Sequence, residues 1–525
     1  MMTAEPITIP PRNRWLILAV LCSAVFTILV DTNIVNVALP SLVGELDASN
    51  RDLLWIVDAY NLFFAAFVLA AGSLADRYGR RRMLLAGLTV FGLATTVGAF
   101  LDSAPALTAA RAVMGLGAAM IFPTTLSILT NVFPDRGERA KAIGVWGATT
   151  GIAIAVAPIV GGWLLDEFWW GSVFLAMAPP ALVAFVLVLA LVPESRNSST
   201  PPLDKPGLVL STLGLGALVF TIIEAPDAGW ASARSLAGFA VAAVVLAAFV
   251  LRERGYAHPM LDVALFRNLR FSAASLSVTA SFFALFGFIF LITQYMQFLR
   301  GYSPLETGVR VLPVAVAVAS SSVLSASFVV RLGNKVVIAS GLALMGVGFL
   351  WISGLSTGSS YLEIAGQMIV VGFGMGLTTA PATEAIMGVV PPEKAGIGSA
   401  VNDATREVGG TLGVAVIGSV FASLYTSHLD DQPVIAALGG DGAERARDGV
   451  GAALGVAARL GESDAATALV DAASRAYFAG LQAGCFVAAA VALAGSAFAA
   501  RFLPARPNVT TPSNDIVAKP EGVTV

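Results

Sequence analysis

Charge is scarce in this chain. Asp, Glu, Lys and Arg make up 12% of its 525 residues while 57% are hydrophobic, and mean hydropathy is +0.80. A soluble domain carries roughly 25% charged residues, so a set of water-facing globular cores is excluded. Net charge is only −3, which excludes a nucleic-acid partner. Cysteine is almost missing: Cys22 and Cys485 both lie in apolar runs, and no disulfide framework can be built from them. Histidine is equally rare. His258 and His428 fall in polar loops, and no metal cluster or nucleophile–base pair accompanies them, which argues against an enzyme. There is no G-x-x-x-x-G-K-[ST] segment, so the chain has no ATP-binding loop of its own. No cofactor is expected, and any work it does must draw on a gradient.

What the chain has instead is long apolar runs. A membrane-spanning helix needs ~20 mostly apolar residues. Such runs occur near 15–37, 54–75, 84–101, 106–129, 140–163 and 172–193, then near 207–225 and 235–251. Six more lie near 272–296, 307–330, 335–354, 362–386, 398–424 and 477–502. The first run follows Arg14 and ends without a small-residue cleavage site, so it reads as a retained span. Fourteen spans put both termini on one side. With the termini inside, the inner segments hold 21 of the Lys and Arg residues and the outer segments 8, which predicts cytoplasmic termini in a cell membrane.

The chain also repeats. Arg77, Gly79, Arg81, Gly87, Leu88 and Gly92 recur as Arg331, Gly333, Lys335, Gly341, Leu342 and Gly346, at one constant spacing. The expected fold is an all-α polytopic membrane protein: two pseudo-symmetric six-helix bundles, with helices 7 and 8 inserted between them. The corresponding segments are 1–193 for the first bundle and 194–256 for a linker with the inserted helices. The second bundle takes 257–503, including an outer loop at 425–476 with short surface helices. The Pro-rich tail 504–525 is expected to be disordered.

Several motifs are specific. Gly72-Ser-Leu-Ala-Asp76-Arg77-Tyr-Gly79-Arg80-Arg81-Arg82 resembles the loop 2–3 signature of the major facilitator superfamily. Val30-Asp31-Thr-Asn33 through Pro40 resembles the first-helix signature of its 14-helix drug:proton antiporter family, with Asn33 where Thr is usual. Leu107-x-x-x-Arg111-x-x-x-Gly115-x-Gly117 resembles the helix 4 signature. Gly144 through Pro158 and Gly161-Gly162 resembles the helix 5 antiporter motif, although Ala153 and Ala157 stand where Gly is usual. Gly301-Tyr-Ser-Pro304 and Gly398 through Asp403 are further landmarks.

Ionisable residues inside spans are expensive and therefore functional candidates. Asp31 lies ~17 residues into helix 1, ~25 Å across a ~30 Å core. Arg111 enters helix 4 from the outer face to ~8 Å, so both fall in the outer third. An acid poised between burial and a nearby Arg can load and release a proton as its site changes side. The resemblance implies the same roles, Asp31 in coupling or substrate binding and Arg111 as its partner; a static salt bridge is the alternative. Asp58 lies shallow in helix 2. On helix 13, Asp403, Arg406 and Glu407 share a face, and neutralisation of Asp403 by Arg406 would leave Glu407 as the unpaired acid. Glu224 reads as an outer-rim residue, and Glu384, at the inner end of helix 12, as a cap or a salt-bridge partner in the cytoplasmic loop.

The resemblance further implies that Gly72, Asp76, Arg77, Gly79, Arg80 and Arg81 form an inner-face latch. It implies that Gly147, Gly151, Pro158, Gly161 and Gly162 form a tight contact between the halves that suppresses leak. Tyr295 and Gln297 are cavity candidates, and Trp146 with Phe283, Phe286 and Phe290 is considered beside them. The function expected is proton-coupled export of amphipathic, cationic small molecules by alternating access. The partners are lipophilic substrates, protons and membrane lipids, and the chain works as a monomer. Export of an endogenous metabolite or lipid-like molecule, or proton-coupled uptake, are the rival readings.

Overall fold

The computed structural model describes residues 11–46, 48, 50–196 and 203–504; the tail from 505 and part of the linker lie outside the described residues. Every described segment of regular structure is helical, as a backbone in hydrocarbon requires when it must satisfy its own N–H and C=O groups. The first group is α1 (Pro11–Leu46), α2 (Asn50–Tyr78), α3 (Arg80–Gly98), α4 (Ala104–Val132) and α5 (Arg136–Glu167), then α6 (Ser172–Leu175) and α7 (Ala178–Leu191). A hairpin of α8 (Lys205–Ala228) and α9 (Ala233–Gly255) follows. The second group is α10 (Leu269–Gln294), α11 (Pro304–Arg310), α12 (Leu312–Ile352), α13 (Tyr361–Met387) and α14 (Ala395–Asp430). The short α15 (Pro433–Ala437), α16 (Gly440–Arg447) and α17 (Val450–Arg459) lead into α18 (Asp464–Phe502).

Among the described residues, 12 helices are long and apolar enough to cross a membrane. The difference from the fourteen expected runs has two local causes. α12 contains two helical stretches divided at Gly333, whose φ is 80°. α3 is a 19-residue helix headed by Arg80, Arg81 and Arg82, which lower its mean hydropathy. Gly79, the residue before α3, has φ 113°. The two glycines that the sequence repeat aligns therefore break the chain in the same left-handed region, where only glycine is unstrained.

Helix starts are set by polar caps. Asp135 accepts the backbone N–H of Glu138 at the head of α5, and Ser360 accepts that of Glu363 at the head of α13. Ser303 and Glu306 cap α11 reciprocally. Short helices do occupy the 425–476 region, but α14 runs on to Asp430 and α18 begins at Asp464, longer than the apolar runs suggest. The added turns of α18, residues 464–476, are Ala-rich, and alanine favours helix in water as well as in lipid. Tyr425 ties this segment down by donating to the Ala446 carbonyl at 3.1 Å.

The largest contacts joining the first group to the second are α5 along α12 and α2 along α14, with α4 also against α14 and α5 against α11 and α13. The α8–α9 hairpin leans on both α2 and α14, and Trp230 in its turn donates to Ser419 of α14 at 3.0 Å. α9 sits on the periphery, with Leu236, Val241, Val244 and Leu251 exposed.

The close approaches rest on glycine. A Cβ on Gly72 of α2 would lie 2.5 Å from the Gly396 carbonyl oxygen of α14, and one on Gly396 would lie 2.5 Å from that of Gly72. On α5, a Cβ at Gly151 would meet the Ala315 carbonyl oxygen of α12 at 2.4 Å, and one at Gly144 the Ser322 oxygen at 2.7 Å. Gly147 differs, because its nearest neighbours would stand 3.7 Å away. Gly161 faces Ile34 of α1, and Gly162 faces Leu305 of α11. Gly147→Ala should therefore be tolerated, whereas Gly151→Ala should separate α5 from α12 and cost about 1–3 kcal/mol of packing. Thermal unfolding of the purified variants, with transport measured alongside, checks the contrast. Equal behaviour of the two would mean the α5–α12 spacing does not matter.

Candidate functional site

The helix 1 acid and the helix 4 base meet. Arg111 Nη1 donates to Asp31 Oδ2 at 2.6 Å, and both side chains are fully buried. Arg111 is fixed on a second side by donation from Nε to the Ile56 carbonyl at 3.0 Å, and its guanidinium lies 4.4 Å from the centroid of the Tyr60 ring. Three helices, α1, α2 and α4, thus hold one ion pair. Asp31 Oδ1 has no hydrogen-bond partner among the described residues. A carboxylate with one oxygen committed and one free retains a position that a proton can take.

Asp403, Arg406 and Glu407 lie together on α14, which packs against α2 and α4 of the first group. Asp403 is buried, its Oδ1 accepts from the Asn402 side chain at 3.1 Å, and its Oδ2 is unpartnered. Arg406 Nη1 is 3.9 Å from Asp403 Oδ1, a looser pairing than the Asp31–Arg111 contact. Glu407 of α14 is part-buried and lies within electrostatic reach of Asp58 of α2. Asp58 also feels Asp227 at the end of α8, which brings the inserted hairpin to this site. Glu224 pairs with Arg234 at 2.6 Å beside the α8–α9 cleft.

A cavity of about 10 Å³ lies between α5, α10, α12, α13 and α14, lined by Trp146, Phe282, Val318, Met375, Thr383 and Arg406 among others. It has room for about one water molecule. Tyr295 and Gln297 do not line it. They sit in the π turn that ends α10, where Tyr295 accepts from Arg300 at 2.7 Å. Phe282 is the α10 ring that reaches the cavity, rather than Phe283, Phe286 or Phe290. Nothing in the sequence separates these rings, because α10 is apolar all round.

The loop 2–3 motif divides into two parts. Asp76 accepts the backbone N–H groups of Gly396 and Ile397 at 2.9 and 3.1 Å, at the start of α14. Arg80 binds Asp76 through Nε at 3.0 Å and Nη2 at 2.7 Å, and reaches the Pro392 carbonyl at 2.8 Å. A carboxylate at a helix N-terminus also meets its positive dipole end. The neighbouring arginines point elsewhere: Arg81 donates to the Leu189 carbonyl of α7, and Arg82 lies 3.8 Å from Glu194. Arg77 lies beside the Tyr78 ring.

At the same end of the bundle Glu384 makes the salt bridges expected of it, and with helices from both groups. It accepts from Arg136 of α5 at 3.1 Å, Arg270 of α10 at 3.2 Å and Asn334 of α12 at 3.2 Å. Asn334 follows Gly333 just as Arg80 follows Gly79. The two ends of the repeat therefore each carry a polar clasp, one from α2 to α14 and one from α13 to α5.

Two related groups of helices, joined by polar clasps at one end and each holding a buried ion pair of its own, fit a membrane transporter. The chain belongs to the Major Facilitator Superfamily, whose family model matches residues 21–414. It is 37% identical over 487 residues to the multidrug efflux pump LfrA of Mycolicibacterium smegmatis, covering 93% of this chain and 96% of that one. It is 37% identical to the multidrug resistance protein Stp of Mycobacterium tuberculosis, covering 80% of this chain and 78% of that one. The methyl viologen resistance protein SmvA of Salmonella typhimurium is 33% identical, over 79% of this chain and 84% of its own. Among solved structures, the human organic anion transporter MFSD10 superposes with a TM-score of 0.63 at 15% identity, covering 94% of this chain and all of its own, a likeness of fold alone.

Proposed function

We propose that this protein is a proton-coupled antiporter that exports amphipathic, cationic drugs across the cell membrane. The observation that carries the reading is the buried Asp31–Arg111 pair, with its free carboxylate oxygen, in a chain whose relatives are named for multidrug efflux. Methyl viologen, in the name of one relative, is a permanent dication, which supports a cationic substrate class. The chain crosses the membrane fourteen times, counting α3 and both parts of α12, with cytoplasmic termini and the Asp76 and Glu384 clasps on the cytoplasmic side. It acts as a monomer without a cofactor, on energy from the proton gradient. Protonation at Asp31, with Glu407 and Asp58 as the second acid site, competes with substrate so that inward protons expel outward cations.

The test uses everted vesicles whose interior has been acidified by respiration, with an acridine dye reporting the pH gradient. Adding tetraphenylphosphonium or methyl viologen should dissipate the gradient in vesicles containing the protein and not in vesicles lacking it. Cation-dependent alkalinisation of the interior marks antiport. No response to any cation would remove the cationic class, and substrate movement in the opposite direction would make the protein an importer.

A further inference from the structure

We propose that Phe122, Trp146 and Phe282 form the subsite for the substrate's positive charge, and that Arg406 occupies this box as a built-in stand-in that a substrate must displace. The inference rests on the export reading above. The Arg406 guanidinium carbon stands 4.5 Å from the centroid of Phe282, 5.0 Å from Phe122 and 5.3 Å from Trp146. All three are within the ~6 Å at which a cation is attracted to an aromatic face. The rings come from α10, α4 and α5, so a charge at this point touches both groups of helices. The box is also rigid. Phe122 and Trp146 meet edge to face at 5.5 Å, and the Trp146 indole is held by donation to Thr125 Oγ1 at 3.2 Å.

The contrast with Arg111 shows what Arg406 is not. Arg111 is tied by two hydrogen bonds to oxygen, one of them to a carboxylate at 2.6 Å. The Arg406 side chain is 11% exposed, yet among the described residues it makes no hydrogen bond and its closest carboxylate oxygen is 3.9 Å away. Held by three aromatic faces and a 3.9 Å carboxylate contact, this guanidinium lacks the two short oxygen partners that fix Arg111. It is therefore the one charge in the cavity wall that is poorly anchored. The cavity beside it takes about one water, so space for an organic cation has to come from a side chain that leaves. Asp403 Oδ2 is buried and unpartnered, and Glu407 is the next residue on the helix, so the displaced guanidinium has acids to receive it. Entry of a cation would then push a fixed positive charge toward the acids of α14, linking substrate binding to their protons.

Binding to the purified full-length protein, read by calorimetry without a gradient, tests this with two probes of one shape and opposite charge. Arg406→Gln should bind tetraphenylphosphonium about tenfold more tightly than wild type and tetraphenylborate more weakly. Phe282→Leu and Trp146→Leu should each weaken tetraphenylphosphonium about tenfold. Arg406→Lys, which keeps the charge, should stay near wild type, and Arg406→Met is the neutral substitute if the Gln variant does not fold. Unchanged or weaker cation binding in the neutral variants overturns the proposal, as does a wild type that binds no tetraphenylphosphonium. Because no transport is measured, failure here leaves the vesicle assay free to succeed, and the two readings fail separately.

Discussion

Asp31→Asn should reduce cation-dependent proton release to the level of vesicles lacking the protein, while the protein still inserts and folds. Its loss of stability, from the unpaired Arg111 charge, should be kept smaller than that of Arg111→Leu by the retained amide oxygen. The amide keeps the shape of the carboxylate and an oxygen for Arg111 Nη1, which now donates at 2.6 Å. It cannot carry a proton. Arg111→Leu should do something different, because it leaves Asp31 buried with both oxygens unpartnered and the Ile56 carbonyl without its donor. Breaking a buried ion pair by removing one partner costs about 3–5 kcal/mol, so this variant should lose stability as well as flux. The double variant Asp31→Asn/Arg111→Leu separates the roles. With no charge left to strand, it should regain much of the stability and none of the flux. If flux returns together with stability, the pair is a structural brace and the proton is carried elsewhere.

The ion pair was legible in the sequence because charge is costly in lipid and because helix rise converts residue number into depth. Those two facts alone put Asp31 and Arg111 at one level, and the structure joins them. The repeat was legible for a similar reason: a glycine needed for positive φ leaves a fixed mark, and Gly79 and Gly333 both carry it. The choice among phenylalanines was not legible. A helix that is apolar on every side has no stripe, so the 3.6-residue period that normally gives direction is silent in α10. The lengths of α14 and α18 were underestimated because hydropathy reports the membrane, not the helix. In the loop 2–3 motif, consecutive arginines look alike in sequence. Only the fold shows that Arg80 turns across to the turn before α14 while Arg81 turns back to α7. The role of Glu384 depends on partners from α5, α10 and α12, which no local pattern brings together.

The double variant Asp76→Ala/Glu384→Gln should open the cytoplasmic side and end export. Asp76 receives two backbone N–H groups from α14 and the Arg80 guanidinium, and Glu384 receives Arg136 from the opposite half. Hydrogen bonds to charged groups contribute roughly 1.5–3 kcal/mol each, so loss of either clasp should shift the equilibrium toward the inward-open state about tenfold or more. The clasps share no residue, and their effects should add to about a hundredfold in the double variant. Ser399, buried in α14 just past the Asp76 contact, is a suitable reporter. With Cys22 and Cys485 replaced by Ala, a cysteine at position 399 should react slowly with a cytoplasmic maleimide in the parent. It should react faster in each single variant and fastest in the double. Unfolding temperatures measured on the same samples distinguish opening from general loosening, because opening leaves the Asp31–Arg111 pair and its contribution to stability in place. Labelling of the double variant no faster than the parent would mean that the glycine-lined contacts of α2 with α14 and of α5 with α12 hold that side shut without the clasps.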